Sequence, residues 1–404
     1  MVLKVSMPRF LSIIIALLPF IYLYRIDAIQ VNCGLICILL IALYGLIKMV
    51  ATRKGFREFP GIIIITIVYL VFNSLVETGV RELGIFMIGL LPTLWLYDQD
   101  LVDVSTLKKA ISVIAAVSAI VVIMQSIAYY LFGIVSDNRV LLPFASMLED
   151  KYYFETSMFQ GSLFRPSGFF LEPSHFIQYS VAAIACLQFD EDNLNGAKIS
   201  KLAILISIGC ILTTSGMGIV LVPCIWAYFA VSIRGFSSRK LRIIVSGIIV
   251  VAIAFLLLSS TTFFGLAIDR ILGTGTSTET SYAGRMYTSY FLNELNGVEK
   301  WIGRGFQNIP RYTGNYRTGM GYYMTGIVEL QYCLGYIGTF LVLVLVIYYI
   351  VKRKNYQRLS AIIFLVFIFI AAKIKLVDFI FYSSLVFANQ FRMEDGIGDT
   401  KNGK

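Results

Sequence analysis

The chain has 404 residues, of which 58% are hydrophobic and only 14% are charged. So few charged residues exclude an ordinary soluble protein of this length, because its surface would need more of them. The formal net charge of +10 is compatible with a nucleic-acid-binding protein, but the positions of the basic residues, described below, remove the basis for that class.

Apolar runs of about twenty residues recur along the whole chain and predict an all-α polytopic membrane protein. A bilayer offers no water to the backbone amides, so these runs should form helices, whereas a β-barrel would show short alternating segments. About twelve transmembrane helices are predicted, in a single membrane domain that covers residues 1–404. They are 9–25, 29–48, 60–77, 82–98, 109–132, 173–189, 201–215, 217–233, 241–267, 326–351, 359–374 and 376–391.

Seven clusters of basic residues between or beside these helices fall on one side of the membrane when the helices are threaded alternately. By the positive-inside rule, that side is the cytoplasm, and both termini lie there. The excess of positive charge is therefore interpreted as a signal for membrane orientation. The clusters are Lys4 and Arg9; Arg53, Lys54 and Arg57; Lys108 and Lys109; Lys198 and Lys201; Arg234, Arg239, Lys240 and Arg242; Lys352, Arg353, Lys354 and Arg358; and Arg392, Lys401 and Lys404.

Two long loops, 133–172 and 268–325, remain on the outer side, so any chemistry is expected there and at the helix ends beneath them. The first loop ends in GSLFRPSGFFLEPSHFIQYS, with Arg165, Glu172 and the only histidine of the chain, His175. Pro173 is a favourable first residue of a helix, so Glu172 should precede the helix and His175 should lie in its first turn. The three groups are predicted to converge on an anion, with His175 and Glu172 as candidate catalytic residues. The alternative is that Glu172 only caps the helix while the other two are solvated.

The second loop contains Arg304, Arg311 and Arg317 and has no acidic residue between Trp301 and Thr325. A guanidinium group binds phosphate oxygens in pairs, so a string of unpaired arginines predicts a site for a diphosphate or an anionic headgroup. Alternatively, these arginines pair with nearby glutamates of the loop, or anchor it to lipid phosphates. The glutamates concerned are Glu294 and Glu299.

Tyrosines of the second loop, including Tyr282 and Tyr312, are candidates for stacking on sugar rings, and the alternative is an interfacial aromatic belt. The stretch SYAGRMYTSYFLNEL predicts a helix lying on the membrane. Gly303 and Gly305 follow it, and they would let the backbone approach a ligand closely.

Metal-binding patterns are missing from the sequence. The six cysteines lie inside apolar runs, and one histidine cannot supply a zinc triad. Near the end of the chain, Lys373, Lys375 and Asp378 interrupt an apolar region. They are interpreted as the outer turn of a final hairpin, with a buried polar site as the alternative.

The stretch FRPSGFFLEPSHF resembles the Arg-x-x-Gly and Glu-Pro-Ser signature of the Wzy-type O-antigen and capsule repeat-unit polymerases, which share a superfamily with the O-antigen ligases. Further segments resemble the family in the same order: TTSGMG at 213–218, the segment around Arg285, GRGFQN, and GIVELQYCLGYIG. The two long outer loops extend the resemblance over nearly the whole chain.

The resemblance implies a fold similar to that of the GT-C glycosyltransferases, in the inner membrane with the site facing the periplasm. It implies that the chain polymerises undecaprenyl-diphosphate-linked repeat units without a cofactor, a nucleotide sugar or a metal, and it leaves a chain-length regulator open as a partner. By position, the diphosphate-binding residues would be Arg165, Arg285, Arg311 and Arg317. The spacing from Arg285 to Gly297 is one residue longer than in some members, which leaves the principal arginine open.

Two other functions remain alternatives at this point. An O-antigen ligase would use the same donor, but the family's catalytic histidine lies in the second long loop, where this chain has none. A flippase for lipid-linked oligosaccharides would need polar groups through the middle of the bilayer, where the predicted helices are almost free of charge.

Overall fold

The computed structural model describes residues 6–53, 61–76, 80–135, 145–147, 158–160, 163–233, 288–305, 324–370 and 376–388. This part of the chain is mostly helical and contains thirteen α-helices. They are α1 Met7–Ile21, α2 Cys33–Thr52, α3 Gly61–Val76, α4 Val80–Asp98, α5 Val104–Phe132, α6 Pro173–Gln188, α7 Glu191–Gly196, α8 Lys201–Leu212, α9 Gly216–Ser232, α10 Glu299–Ile302, α11 Gly326–Lys352, α12 Asn355–Ile370 and α13 Leu376–Phe387. A 3-10 helix covers Thr288–Glu294.

A helix lies at every predicted span except 241–267, which is outside the described residues. Within the described ranges, α2, α5 and α11 are long and apolar enough to cross a membrane, each with a mean hydropathy of 2.4. The fold is therefore that of a mostly helical chain, compatible with a membrane protein. The short helix α7 was not predicted, because it lies in a polar connection without an apolar period.

Helix α5 has one face packed inside the bundle and one apolar face that is exposed. The exposed residues are spaced alternately by four and three positions, as expected for one helical stripe: Val113, Val117, Ile120, Met124, Ile127 and Leu131. Leu131 is 72% exposed. Since a water-soluble helix would not present such a long apolar stripe to solvent, this face is suited to contact lipid.

Polar contacts join several helix ends at one end of the bundle, which we call the basic end. Arg9 Nε lies 3.5 Å from Asp103 Oδ2, which links the starts of α1 and α5. Lys108 Nζ lies 3.1 Å from Asp190 Oδ1, just after α6, and 4.6 Å from the ring centre of Tyr356 in α12. When the predicted helices are threaded alternately through the membrane, all of these helix ends fall on the same side.

Five short strands lie at the opposite end, which we call the loop end: β1 Tyr24–Ile26, β2 Val31–Asn32, β3 Ala145–Met147, β4 Phe159–Gln160 and β5 Leu163–Phe164. Strand β1 is central in an antiparallel sheet of order β2-β1-β3, in which Arg25 pairs with Asn32 and Ser146. Strands β4 and β5 form a second antiparallel pair. The sequence predicted none of them, because runs of two or three residues are too short to show alternation.

Candidate functional site

The start of α6 is built as the sequence predicts. Glu172 is extended (φ −133°, ψ 152°), Pro173 is the first helical residue, and His175 lies in the first turn. The backbone N–H groups of His175 and Phe176 donate to the Glu172 carbonyl oxygen at 3.1 and 3.2 Å. The Glu172 carboxylate makes no capping bond and instead accepts a hydrogen bond of 3.0 Å from the Ser174 hydroxyl. The alternative that Glu172 serves as a side-chain cap is therefore wrong.

Gly168 anchors the preceding segment on α5. Its N–H donates to Gln125 Oε1 at 2.9 Å, and its φ is +63°, a conformation that favours glycine. A Cβ atom at this position would lie only 2.9 Å from the Ser118 carbonyl oxygen. The glycine of the motif therefore permits a close approach to α5, and Gln125, which the sequence did not single out, holds the turn between Arg165 and Glu172.

Arg165 follows β5 directly and is half-buried. The backbone N–H of Arg165 donates to the Met158 carbonyl oxygen at 2.6 Å, and this bond continues the pairing of β5 with β4. Phe164 is buried and stacks on Tyr129 of α5 at 4.3 Å between ring centres. Arg165 is thus attached to the loop end of α5, on the same chain segment as Glu172.

A cavity opens at the loop end between α1, α6 and α13. His175 and Gln178 of α6 line it together with Asp378, which lies in the first turn of α13. Asp378 is half-buried and contributes a polar group to the cavity that His175 lines, in line with the alternative of a polar site, whereas Lys373 and Lys375 lie outside the described residues.

The walls of this cavity are aromatic and are fixed by hydrogen bonds. The Tyr179 hydroxyl donates to the Ala16 carbonyl oxygen at 2.9 Å, and the Tyr382 hydroxyl donates to the Gln178 carbonyl oxygen at 2.6 Å. Tyr179 stacks on Phe381 with 5.0 Å between ring centres. Since these bonds tie α6 to α1 and to α13, they hold the three helices that form the cavity.

In the described part of the second loop, Arg304 is fully engaged within the protein. Its Nε lies 3.0 Å from Glu299 Oε1, its Nη2 donates to the Glu294 carbonyl oxygen at 2.7 Å, and its Nη1 donates to the Tyr332 hydroxyl at 3.2 Å. The hydrogen bond from Arg304, followed by that from the Asn296 N–H, lowers the pKa of Glu299. The prediction that Arg304 is unpaired is wrong, and the alternative of pairing with Glu299 is confirmed.

Helix α11 is interrupted at Gly335, whose φ of 62° and ψ of −170° are not helical. The interruption leaves main-chain carbonyl groups of α11 without helical partners, and the second loop supplies donors for them. The backbone N–H groups of Arg304 and Gly305 donate to the carbonyl oxygens of Tyr332 and Cys333, both at 2.9 Å. The Tyr69 hydroxyl donates to the Leu334 carbonyl oxygen at 2.6 Å.

Glycines allow this close approach of the second loop to α11. A Cβ atom on Gly303 would overlap the Cys333 carbonyl group, and one on Gly335 would overlap the backbone of Trp301. Gly303 and Gly305 therefore bring the loop backbone onto α11, and their role in approaching a ligand stays a prediction.

Other motif segments also act in packing. In TTSGMG, Thr213 and Thr214 are fully buried, and a Cβ atom on Gly218 would lie 2.7 Å from the Cys210 carbonyl oxygen. Packing between α8 and α9 accounts for these small residues. The described part of the predicted interfacial helix is the 3-10 helix Thr288–Glu294, and Phe291 and Leu295 point into the main apolar core.

Five of the predicted site residues lie outside the described residues: Arg285, Arg311, Arg317, Tyr282 and Tyr312. Among the residues that are described, no three His, Cys, Asp or Glu side chains gather in a way that would hold a metal ion. The structure thus brings together His175 and Asp378 in one cavity, with Glu172 at the start of the same helix. The cavity was not predicted from the sequence, because its walls come from three helices that are distant along the chain.

Comparison of the chain with models of known protein families gives no match, and comparison with curated proteins gives none either.

Proposed function

We propose that this chain is a polymerase of lipid-linked oligosaccharide repeat units, which transfers a glycan from undecaprenyl diphosphate to the sugar of a second lipid-linked unit. The observation that supports it best is the cavity at the loop end, where His175 and Asp378 lie beside the helix start that bears Glu172. This is the end at which the motif residue Arg165 is attached to α5 through β5. Acid–base groups and a guanidinium group at one end of a helical bundle suit glycosyl transfer from a lipid diphosphate.

In the proposed reaction, an oxygen of the acceptor hydroxyl attacks the anomeric carbon of the donor. The bond from that carbon to the diphosphate oxygen breaks, and its electron pair leaves with undecaprenyl diphosphate. The hydroxyl proton passes to His175 or Glu172. Arg165, with Arg285, Arg311 and Arg317 of the second loop, would neutralise the diphosphate as it leaves.

The proposal places the chain in the bacterial inner membrane with about twelve spans, both termini in the cytoplasm and the loop end in the periplasm. The expected product is O-antigen or capsular polysaccharide, and the expected partners are membrane lipids and lipid-linked glycans. The contacts of Arg9 with Asp103 and of Lys108 with Asp190 support this topology, because they join helix ends that the charge pattern assigns to the cytoplasm.

Replacement of Arg165 in a strain without the chromosomal gene tests the proposal. Arg165→Ala should lower the rate of polymerisation about a hundredfold, and Arg165→Lys should restore only part of it, because lysine cannot bind two phosphate oxygens as a fork. The readout is the ladder of surface-glycan lengths at equal expression. Wild-type lengths with Arg165→Ala would contradict the role of this arginine.

The deletion strain also separates the alternatives. Surface lipid that carries a single repeat unit is expected for the loss of a polymerase, whereas complete loss of the glycan from the lipid core would indicate a ligase. Elongation of lipid-linked units by purified protein in detergent, where no gradient exists, would exclude a flippase as the sole function.

A further inference from the structure

We propose that the cavity between α1, α6 and α13 is the subsite for one sugar ring of the acceptor repeat unit, with Asp378 and Gln178 as the residues that bind its hydroxyl groups. This inference rests on the proposed function, and it assigns the acceptor to a different place from the donor diphosphate. Asp378 is thereby a binding residue that no feature of the motifs identifies.

The polar groups of the cavity match the hydrogen-bonding needs of a sugar. A hydroxyl group both donates and accepts, the carboxylate of Asp378 accepts, and the side-chain amide of Gln178 does both. His175 lines the same cavity, so a hydroxyl bound there would be close to the candidate base. A pocket with mainly aromatic walls and a few polar groups that fix orientation is typical of small-ligand sites.

The charge of the cavity argues against the diphosphate as its occupant. Its lining residues include the carboxylate of Asp378. A carboxylate repels a phosphate group, whereas it binds neutral hydroxyl groups well. The arginines of the motif and of the second loop would bind the lipid diphosphate, and the carboxylate would bind the neutral part of the acceptor.

The aromatic walls are held in place before any ligand binds. The Tyr179 and Tyr382 hydroxyls are bonded to main-chain carbonyl groups, so these residues form a fixed wall beside Asp378 and Gln178. Phe170 lies 5.4 Å from Tyr179, and Tyr179 lies 5.0 Å from Phe381, between ring centres. Fixed aromatic surfaces lower the entropy cost of binding a rigid ring.

The inference is tested with purified protein in detergent. The donor is the lipid-linked repeat unit extracted from the source strain after deletion of this gene, at fixed concentration. The acceptor is the repeat-unit oligosaccharide released from that lipid by mild acid, at varied concentration. Asp378→Asn should raise the KM for the acceptor about tenfold with a smaller change in kcat, because it weakens hydrogen bonds made by a charged group. Asp378→Glu should recover part of the loss.

Asp192→Asn is the matched control, since Asp192 is an exposed aspartate next to the basic end, in α7. It should leave the KM unchanged. Saturation-transfer NMR with the released oligosaccharide gives a second readout that needs no turnover. Its signal should be present with the wild type and with Asp192→Asn, and reduced with Asp378→Asn. If Asp378→Asn does not fold, Gln178→Ala replaces it with the same expectation for both readouts.

The outcomes distinguish the two proposals. A wild-type protein that binds the oligosaccharide but never elongates lipid-linked units would overturn the proposed function and leave the sugar subsite in place. A folded Asp378→Asn protein with wild-type KM and an unchanged NMR signal would overturn the subsite and leave the polymerase function standing.

Discussion

Gly303 adopts a φ of 81° and lies so close to α11 that a methyl group there would overlap the carbonyl group of Cys333. Gly303→Ala should therefore destabilise the protein by about 2 kcal/mol or more, because both the left-handed backbone and the overlap oppose a side chain. Thermal unfolding of the purified protein in detergent would show this as a lower midpoint.

Gly297→Ala is the control for that substitution. Gly297 belongs to the same loop, but nothing lies within 4 Å of the position of its added Cβ. Its replacement should change stability by less than about 0.5 kcal/mol. Equal losses in the two variants would mean that the contact of Gly303 with α11 contributes little.

The ion pair of Glu299 with Arg304 should make the stability of the folded protein depend on pH in acid. Because the pKa of Glu299 in the folded protein is below its usual value of 4.5, the pair stabilises the folded state fully above that pH. Its contribution is lost as the pH falls through the lower, folded-state pKa. The difference in unfolding midpoint between the wild type and Glu299→Gln should be constant near neutral pH and shrink as the pH falls below 4.5. A difference that grows in acid would show that another group dominates.

Helix α5, which is long and apolar enough to cross a membrane, also supports the candidate site, because it supplies the acceptor that holds the motif turn. Gln125→Ala removes the oxygen that accepts the Gly168 N–H at 2.9 Å and leaves a buried donor unsatisfied. It should lower stability by about 1–3 kcal/mol and increase cleavage of the segment around Arg165 by added protease.

Met124→Ala is the neighbouring control for Gln125→Ala. Met124 is 62% exposed on the apolar face of the same helix, so its truncation should affect neither the turn nor the protease sensitivity. Equal sensitivity in both variants would indicate a general loosening of α5, and would argue against a specific role for Gln125.

The molecule as a whole has two chemically different ends, and the proposed topology assigns each to one side of the membrane. Ile29, 58% exposed in the turn between β1 and β2, marks the loop end, and Asp192 marks the basic end. In intact cells whose outer membrane has been made permeable, a membrane-impermeant maleimide should label Ile29→Cys. It should label Asp192→Cys only after the inner membrane is opened, and the unsubstituted protein gives the background from native cysteines. The reverse pattern would invert the topology.

Much of the helical framework follows from local sequence. The length and hydropathy of the apolar runs predict where helices lie, because each run must satisfy its own backbone in lipid, and α6 begins at Pro173 as its signals indicate. The pairing of Arg304 was open to two interpretations, since several acidic and phosphate partners compete for a loop arginine. The strands at the loop end were too short to leave a pattern.

The sequence alone therefore established a helical chain with apolar helices, polar loops and a chemically distinctive start of α6. The tertiary structure determined the remaining features of the site, because they depend on contacts between residues far apart in the chain. It set Gly303 against the interrupted helix α11, Gly168 against α5, and Asp378 in the same cavity as His175. No local pattern links positions 175 and 378, and only the packing of α1, α6 and α13 brings them together.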